Sequence, residues 1–349
     1  MALIVDIKKR LGRFRLDVSF EADTGVLGIL GASGCGKSLT LKCIAGLEKP
    51  DSGHIELNGR VLFDSSKRID LNPQQRHVGY LFQQYALFPN MTVAQNIAAG
   101  AHALPKAQRA AAVAEKIKSF QLQGLEKKYP PQLSGGQQQR TALARILISR
   151  PEALLLDEPF SALDDYLKWQ VELELSDTLQ DFPGTTLFVS HSRDEVFRLC
   201  QNVCVLADGK SEPIQSAERL FRGPETLSAC LLSGCKNYTR IQKLDKTHAL
   251  ALDWGVTIQG ADIPDGCTFA GVRSHFIRPG DGPNPIHCTV ERVIREMFST
   301  VVMVRTPGGD TTFSRLRLEM PPEQWQALGQ PGELTVSIAP QDIMYLREN

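Results

Sequence analysis

Four absences narrow the reading of this 349-residue chain before any motif is considered. It carries no net charge, because 39 basic residues balance 39 acidic ones. A chain that grips a polyanion by bulk charge has an excess of Lys and Arg, so no nucleic-acid partner is expected. It has no apolar run approaching the roughly 20 residues needed to cross a bilayer. The opening Met1-Ala-Leu-Ile-Val-Asp-Ile-Lys8 lacks the pattern of a secretory signal. The expectation is a soluble, cytoplasmic chain, with any membrane part supplied by another protein. None of the eight cysteines forms a C-x-x-C pair, and no histidine or second pair completes a zinc set around Cys200 and Cys204. Reduced thiols, several of them buried, are expected instead. What remains is an ordinary globular composition, 42% hydrophobic and 22% charged, long enough for about two domains.

The chain is organised around Gly31-Ala-Ser-Gly-Cys-Gly-Lys37-Ser38, of the form G-x-x-x-x-G-K-S. An apolar run at 26–30 reads as a buried strand before it, and residues 39–47 carry apolar side chains at helical spacing after it. That strand–loop–helix context is what the motif requires. Gly31, Gly34 and Gly36 permit the backbone angles of an anion-binding nest. The following helix adds free N–H groups and the positive end of its dipole. Lys37 is placed to reach the β- and γ-phosphates of a nucleotide, and the Ser38 hydroxyl to ligate Mg²⁺. Cys35 lies inside this loop, where the local field is expected to lower its pKa.

Around this loop the coarse reading alternates strands and helices. Residues 3–20 suggest an antiparallel ribbon. Phe14 in that ribbon is either a base-stacking aromatic or an ordinary core residue. Two short alternating runs flank Asn58-Gly59, a strong hairpin signal. Residues 72–76 read as a loop and 78–82 as a buried strand ending at Gln83. Thr92 is an N-cap candidate, and residues 85–150 look all-helical. Ser134-Gly-Gly-Gln137 opens a helix, making a second anion-binding helix end through Ser134, Gly135 and Gly136. The strand 153–156 delivers Asp157 and Glu158 at its C-terminal end, where ligands bind in open α/β sheets. Asp157 is read as holding Mg²⁺ through water and Glu158 as the general base for the attacking water. A strand at 185–190 ends in His191, which points toward a γ-phosphate. Beyond residue 231, short apolar runs broken by Pro and Gly turns suggest a small all-β barrel.

These residues resemble an ABC-transporter ATP-binding subunit, with every motif in order over residues 1–230. The resemblance implies an α/β P-loop NTPase with a helical subdomain at about 85–150, plus a C-terminal OB-like barrel over 231–349. Gly31, Ala32, Ser33, Gly34, Cys35, Gly36, Lys37, Ser38 and Leu39 would bind ATP, with Lys37 also catalytic. Leu39 stands where many relatives carry Thr. Gln83 matches the Q-loop glutamine, a catalytic and Mg²⁺-contacting position alongside Ser38 and Asp157. Ser134 to Gln137 resemble the signature, Ser161 to Asp164 the D-loop, and His191 the switch histidine. Phe14 falls near the adenine-stacking aromatic.

The family arrangement implies a head-to-tail homodimer. Ser134, Gly135, Gly136, Gln137 and Asp164 of one copy then complete the ATP site of the other. It also implies a membrane permease contacting residues 85–91, an extracytoplasmic substrate-binding protein acting indirectly, and a place at the cytoplasmic face of the membrane. Details of 57–64 and 80–83, with the tail length, look most like molybdate/tungstate importers. Sulfate/thiosulfate and ferric-iron relatives share much of this. Arg273, Ser274 and Lys236 are candidate oxyanion contacts in the tail, with solvated surface the plainer reading. A soluble ABC protein of DNA repair or translation and an exporter ATPase are the competing classes.

Overall fold

The computed structural model describes residues 2–161, 163, 165–309 and 311–348. It separates into two compact units, one ending at Ala217 and the other beginning at Glu218. The short helix Ala217–Arg222 thus lies at the division, ahead of the boundary expected at 230/231, and the helix Leu227–Leu232 spans that expected boundary.

The first unit is built on one mixed sheet. Its functional half is parallel, in the order Val78–Leu81, Ala153–Asp157, Thr185–Ser190, Gly25–Leu30, Asn202–Ala207. Every residue of Ala153–Asp157 and Thr185–Ser190 is buried, as expected for strands covered on both faces. The other half is antiparallel, with Leu3–Leu11 between Phe14–Ala22 and Ser52–Leu57. The Ser52–Leu57/Arg60–Asp64 hairpin turns through Asn58 and Gly59, both at positive φ (54° and 80°). Those angles suit the tight turn that Asn-Gly favours. A core containing Ile7, Leu16, Leu41, Ile44, Leu155 and Leu187 joins this ribbon, the parallel strands and the helix Lys37–Ala45.

Three α-helices, Val93–Gly100, Lys106–Ser119 and Gly135–Leu147, form the helical insert. Their own small core holds Val93, Ile97, Ile117, Ala144 and Ile148. Thr92 caps the first: its hydroxyl accepts from the Gln95 N–H while Gln95 returns a bond to the Thr92 N–H. Among the described residues, no helix is long and apolar enough to cross a membrane.

The second unit is antiparallel β. One five-stranded sheet runs Val256–Gln259, His248–Ala251, Asn237–Lys243, Phe269–Val272, Met344–Leu346. The other runs Ile277–Pro279, Glu333–Ile338, Ile286–Arg295, Thr300–Arg305, Arg315–Met320. The edge strands of the latter lie beside each other, so the five strands nearly close into a small OB-like barrel. Trp254, Val302, Leu318 and Val336 meet in one core.

Candidate nucleotide site

Strand order assembles the site. Leu30, Ser190, Asp157 and Leu81 end four adjacent parallel strands at one edge of the sheet. The segments that follow them carry the phosphate loop, His191, Glu158 and Gln83 respectively. Residues far apart in the chain are therefore neighbours in a row.

The loop itself is shaped by its glycines at two points. Gly31 approaches the Leu206 carbonyl and the Cys35 sulfur so closely that a Cβ would fall within 2.5 Å of both. Gly36 sits at φ 107°, with the Leu16 side chain and the Phe14 ring where its Cβ would be. Gly36 also begins the helix Lys37–Ala45 without any side-chain cap, and no acidic residue occupies the first turn. A helix start with its N–H groups unclaimed by side chains fits an anion such as a phosphate. Lys37 is buried, and its ammonium donates to the Gly31 and Ala32 carbonyls at 2.7 and 2.9 Å. Its third donor makes only a long contact to the Cys35 sulfur at 4.0 Å, which an incoming oxygen can replace.

Ser38 Oγ donates to Asp157 Oδ1 at 2.8 Å. This hydroxyl–carboxylate pair is the hard oxygen set that suits Mg²⁺. The other Asp157 oxygen accepts from the Tyr80 hydroxyl at 2.8 Å. Burial pushes the Tyr80 phenol well above its ordinary pKa, and the Asp157 charge adds to the shift. Tyr80 thus stays a donor and fixes the carboxylate. Its role was not legible as a site feature, because it depends on Val78–Leu81 lying next to Ala153–Asp157.

Glu158 adopts φ 47° and ties its backbone N–H to the Val189 carbonyl at 3.0 Å. A non-glycine residue there stores about 1–3 kcal/mol of strain, which clusters at functional positions. Glu158 Oε2 accepts from Gln83 Nε2 at 3.4 Å and faces His191 Nδ1 at 3.3 Å. Gln83, Glu158 and His191 therefore converge on one oxygen.

Ser134 caps its own helix: its hydroxyl accepts from the Gln137 N–H, and Gln137 Oε1 accepts from the Ser134 N–H. Ser134 is exposed and Gly136 buried. No hydrogen bond among the described residues joins Ser134–Gln137 to the Gly31–Ser38 loop. Asp164 lies outside the described residues. Leu39 is half-buried against the core, as is Phe14, whose ring edge rests beside Gly36 and Gly209. Ser33 and Gly34 are exposed, and Gly34 has a positive φ of 81°.

The expectation of a lowered Cys35 pKa is overturned. The thiol is buried, and desolvation pushes it up more strongly than the Lys37 charge pulls it down. The tail anion contacts fare differently from one another. Lys236 is exposed, Ser274 is buried, and Arg273 spends its guanidinium on the Ser233 and Phe221 carbonyls and the Ser233 hydroxyl.

A further residue supports the loop from behind. Arg76 is fully buried and donates to the Cys43 and Ile44 carbonyls at 2.8 and 2.9 Å. It also donates to the Leu71 carbonyl and pairs with Asp70 at 3.0 Å. Arg76 thereby caps the C-terminus of the very helix whose N-terminus is left bare. Read as a loop residue in the sequence, it gave no sign of this.

A parallel sheet with a bare phosphate loop, a paired Ser38–Asp157 and a carboxylate at the neighbouring strand end defines a P-loop NTPase of the ATP-binding-cassette class. The ABC transporter family profile matches residues 16–161. A molybdenum import ATP-binding protein of Paramagnetospirillum magneticum is 41% identical over 61% of this chain and 60% of its own length. The chain thus matches less than two thirds of that relative. A sulfate/thiosulfate import ATP-binding protein of Caulobacter vibrioides is 38% identical over 78% of this chain and 80% of its own. An Fe(3+) ions import ATP-binding protein of Haemophilus influenzae is 41% identical over 71% of each. A solved ATP-binding cassette dimer bound to ADP and Pi superposes with TM-score 0.52 at 26% identity, covering 62% of this chain and 99% of that one. The chain belongs to the ABC transporter ATP-binding family.

Proposed function

We propose that this chain is the ATP-hydrolysing subunit of an ABC importer that energises uptake of an oxyanion, molybdate or tungstate, through a separate membrane permease. The observation that carries the ATPase reading is the row of strand ends that brings Lys37, Asp157, Glu158, Gln83 and His191 to one edge. Lys37 and the loop N–H groups bind the β- and γ-phosphates. Ser38 and Asp157 hold Mg²⁺, which supplies charge neutralisation at the phosphate oxygens. Glu158 takes the proton of the attacking water. Gln83 and His191 orient that carboxylate, and Tyr80 orients Asp157. Ser134, Gly135, Gly136, Gln137 and Asp164 act on the ATP held by a second copy, in a head-to-tail homodimer at the cytoplasmic face of the membrane.

The 85–91 segment is the permease contact. Phe88 is 44% exposed there. Its loop is braced by buried Asn96, which bonds both the Phe88 N–H and its carbonyl, and by Arg145, whose guanidinium lies 5.1 Å from the Phe88 ring centre. A rigid loop with an outward aromatic suits a partner surface. An extracytoplasmic binding protein selects the cargo, and the second unit is a candidate oxyanion sensor.

A second reading is sulfate/thiosulfate import, favoured by the Caulobacter relative, whose match extends well into the second unit. ATPase activity with the cognate permease, titrated with molybdate, tungstate and sulfate, separates the two. A response to molybdate and tungstate alone supports the first, and a response to sulfate alone replaces it with the second.

A further inference from the structure

The helix Leu227–Leu232 ends in a way that brings two cysteines together. Gly234 turns the chain at φ 98°. The Gly234 N–H then donates to the Leu231 carbonyl, and the Cys235 N–H to the Cys230 carbonyl, both at 3.1 Å. That pair of bonds is the Schellman helix end, in which the side chains of the first and sixth residues meet. The contact is ordinarily apolar, and here both residues are cysteine. Both are buried, in a small core with Leu346. Their sulfurs stand 3.1 and 3.4 Å from the point a Cβ on Gly271 would occupy, so glycine there leaves room for the pair. The Cys230 thiol is hydrogen-bonded to the Cys235 sulfur. As a thiol, Cys235 in turn has the Asn237 and Val272 carbonyls as acceptors at 3.2 and 3.3 Å.

A cation faces this pair. Arg273 donates to the Ser233 carbonyl at 2.9 Å and to the Phe221 carbonyl, both neutral acceptors. Among the described residues no carboxylate pairs with it, and its charge acts on the two thiols. The bond from Cys230, with Arg273 assisting, holds Cys235 below the ordinary thiol pKa in spite of burial. The same bond and burial push Cys230 up. One readily ionised thiol beside one that keeps its proton suits an attacking and a resolving cysteine.

We propose that Cys230 and Cys235 form an oxidisable pair, a modification site that takes hydrogen peroxide and closes to an intrachain disulfide. The Cys235 thiolate attacks one peroxide oxygen, the O–O bond breaks, and the departing hydroxide takes up the thiol proton as water. Cys235 is left as the sulfenic acid. The Cys230 sulfur then attacks the Cys235 sulfur and the S–O bond breaks. That oxygen leaves with the Cys230 proton as a second water. Two thiols are oxidised and one peroxide is reduced. The helix carrying Cys230 is six residues long, exposes Leu231 and is followed by exposed Lys236, so opening of one surface turn admits the peroxide. Nothing in this chemistry depends on the nucleotide site or on the cargo.

Arg222 and Lys236 flank the pair, so trypsin releases both cysteines in the one peptide 223–236. The full chain is reduced, freed of reductant, exposed to graded hydrogen peroxide, unfolded in N-ethylmaleimide and digested for mass spectrometry. The peptide is expected to become two hydrogens lighter and to escape alkylation. This should occur at peroxide doses at least tenfold below those that oxidise the buried Cys43 and Cys200, and dithiothreitol should restore both thiols. Cys230→Ser, a change of one atom, should stop the reaction at a Cys235 sulfenic acid that dimedone captures, with an unchanged melting curve. A peptide that keeps both thiols at doses that already oxidise Cys43 and Cys200 overturns the inference. So does oxidation of Cys230 and Cys235 without a bond between them. Absence of a dimedone adduct at Cys235 in Cys230→Ser overturns the assignment of Cys235 as the attacking sulfur.

Discussion

Two helix N-termini in this molecule offer themselves to anions, and they are finished differently. The helix after the phosphate loop starts at Gly36 with no side chain on its N–H groups and with a buried lysine folded across the loop. The helix after Leu133 starts at Ser134, whose hydroxyl and whose Gln137 partner close a capping box. The first end waits for a ligand, and its opposite end is held by Arg76. The second is satisfied within its own chain. A capping hydroxyl oxygen that accepts an N–H still has its proton to donate, so this end can add one contact to an anion held elsewhere. The contrast fits the proposed division of labour, in which one terminus binds and the other recognises what a second copy has bound.

Four substitutions and one labelling experiment press on that division. Replacing Glu158 by Gln should lower turnover by about 10²–10⁴-fold while leaving ATP affinity in place, because only proton transfer is removed. Single-turnover kinetics beside equilibrium binding checks this. Arg76→Ala removes a buried guanidinium that satisfies carbonyls at the end of the loop helix. It should destabilise the first unit by about 3–5 kcal/mol, read from urea unfolding. Lys37→Ala should weaken ATP binding by about 10–100-fold, the loss of one or two charge-assisted hydrogen bonds. Ser134→Ala should cost about 1 kcal/mol of helix stability and leave ATP affinity of the isolated subunit within about twofold. A large affinity loss there would erase the contrast. Smallest in effect is maleimide labelling of the native protein. Cys35 should react more slowly than the part-exposed Cys267, measured by mass spectrometry, since its thiol is buried.

The legible parts of the molecule are those written contiguously. The loop 31–38 carries its glycines, lysine and serine within eight residues, and the flanking strand and helix follow from periodicity alone. The Asn58-Gly59 hairpin and the Thr92 cap are equally local, because each is one short backbone geometry with its own preferred residues. Tyr80 and Arg76 are different. Tyr80 reaches Asp157 only because two strands 70-odd residues apart in the chain are neighbours, which hydrophobic patterning does not specify. Arg76 ends a segment read only as a loop, and only the folded chain brings it under the carbonyls of Cys43 and Ile44. Cys35 failed for an energetic reason: the positive field expected around it is present, but desolvation outweighs it.

The measurement that reaches the central claim is complementation between two damaged copies. Lys37→Ala removes the binding end, and Ser134→Glu places a carboxylate at the recognising end. Both are made in the Glu158→Gln background, and nucleotide trapped per dimer is counted after mixing with ATP. The account predicts that neither variant alone traps nucleotide, whereas the mixture forms dimers holding one ATP. That ATP is bound by the intact Lys37 of one copy and closed over by the intact Ser134 of the other. A mixture that traps no more than the two variants separately would contradict it, and would place both helix ends on the nucleotide of a single chain.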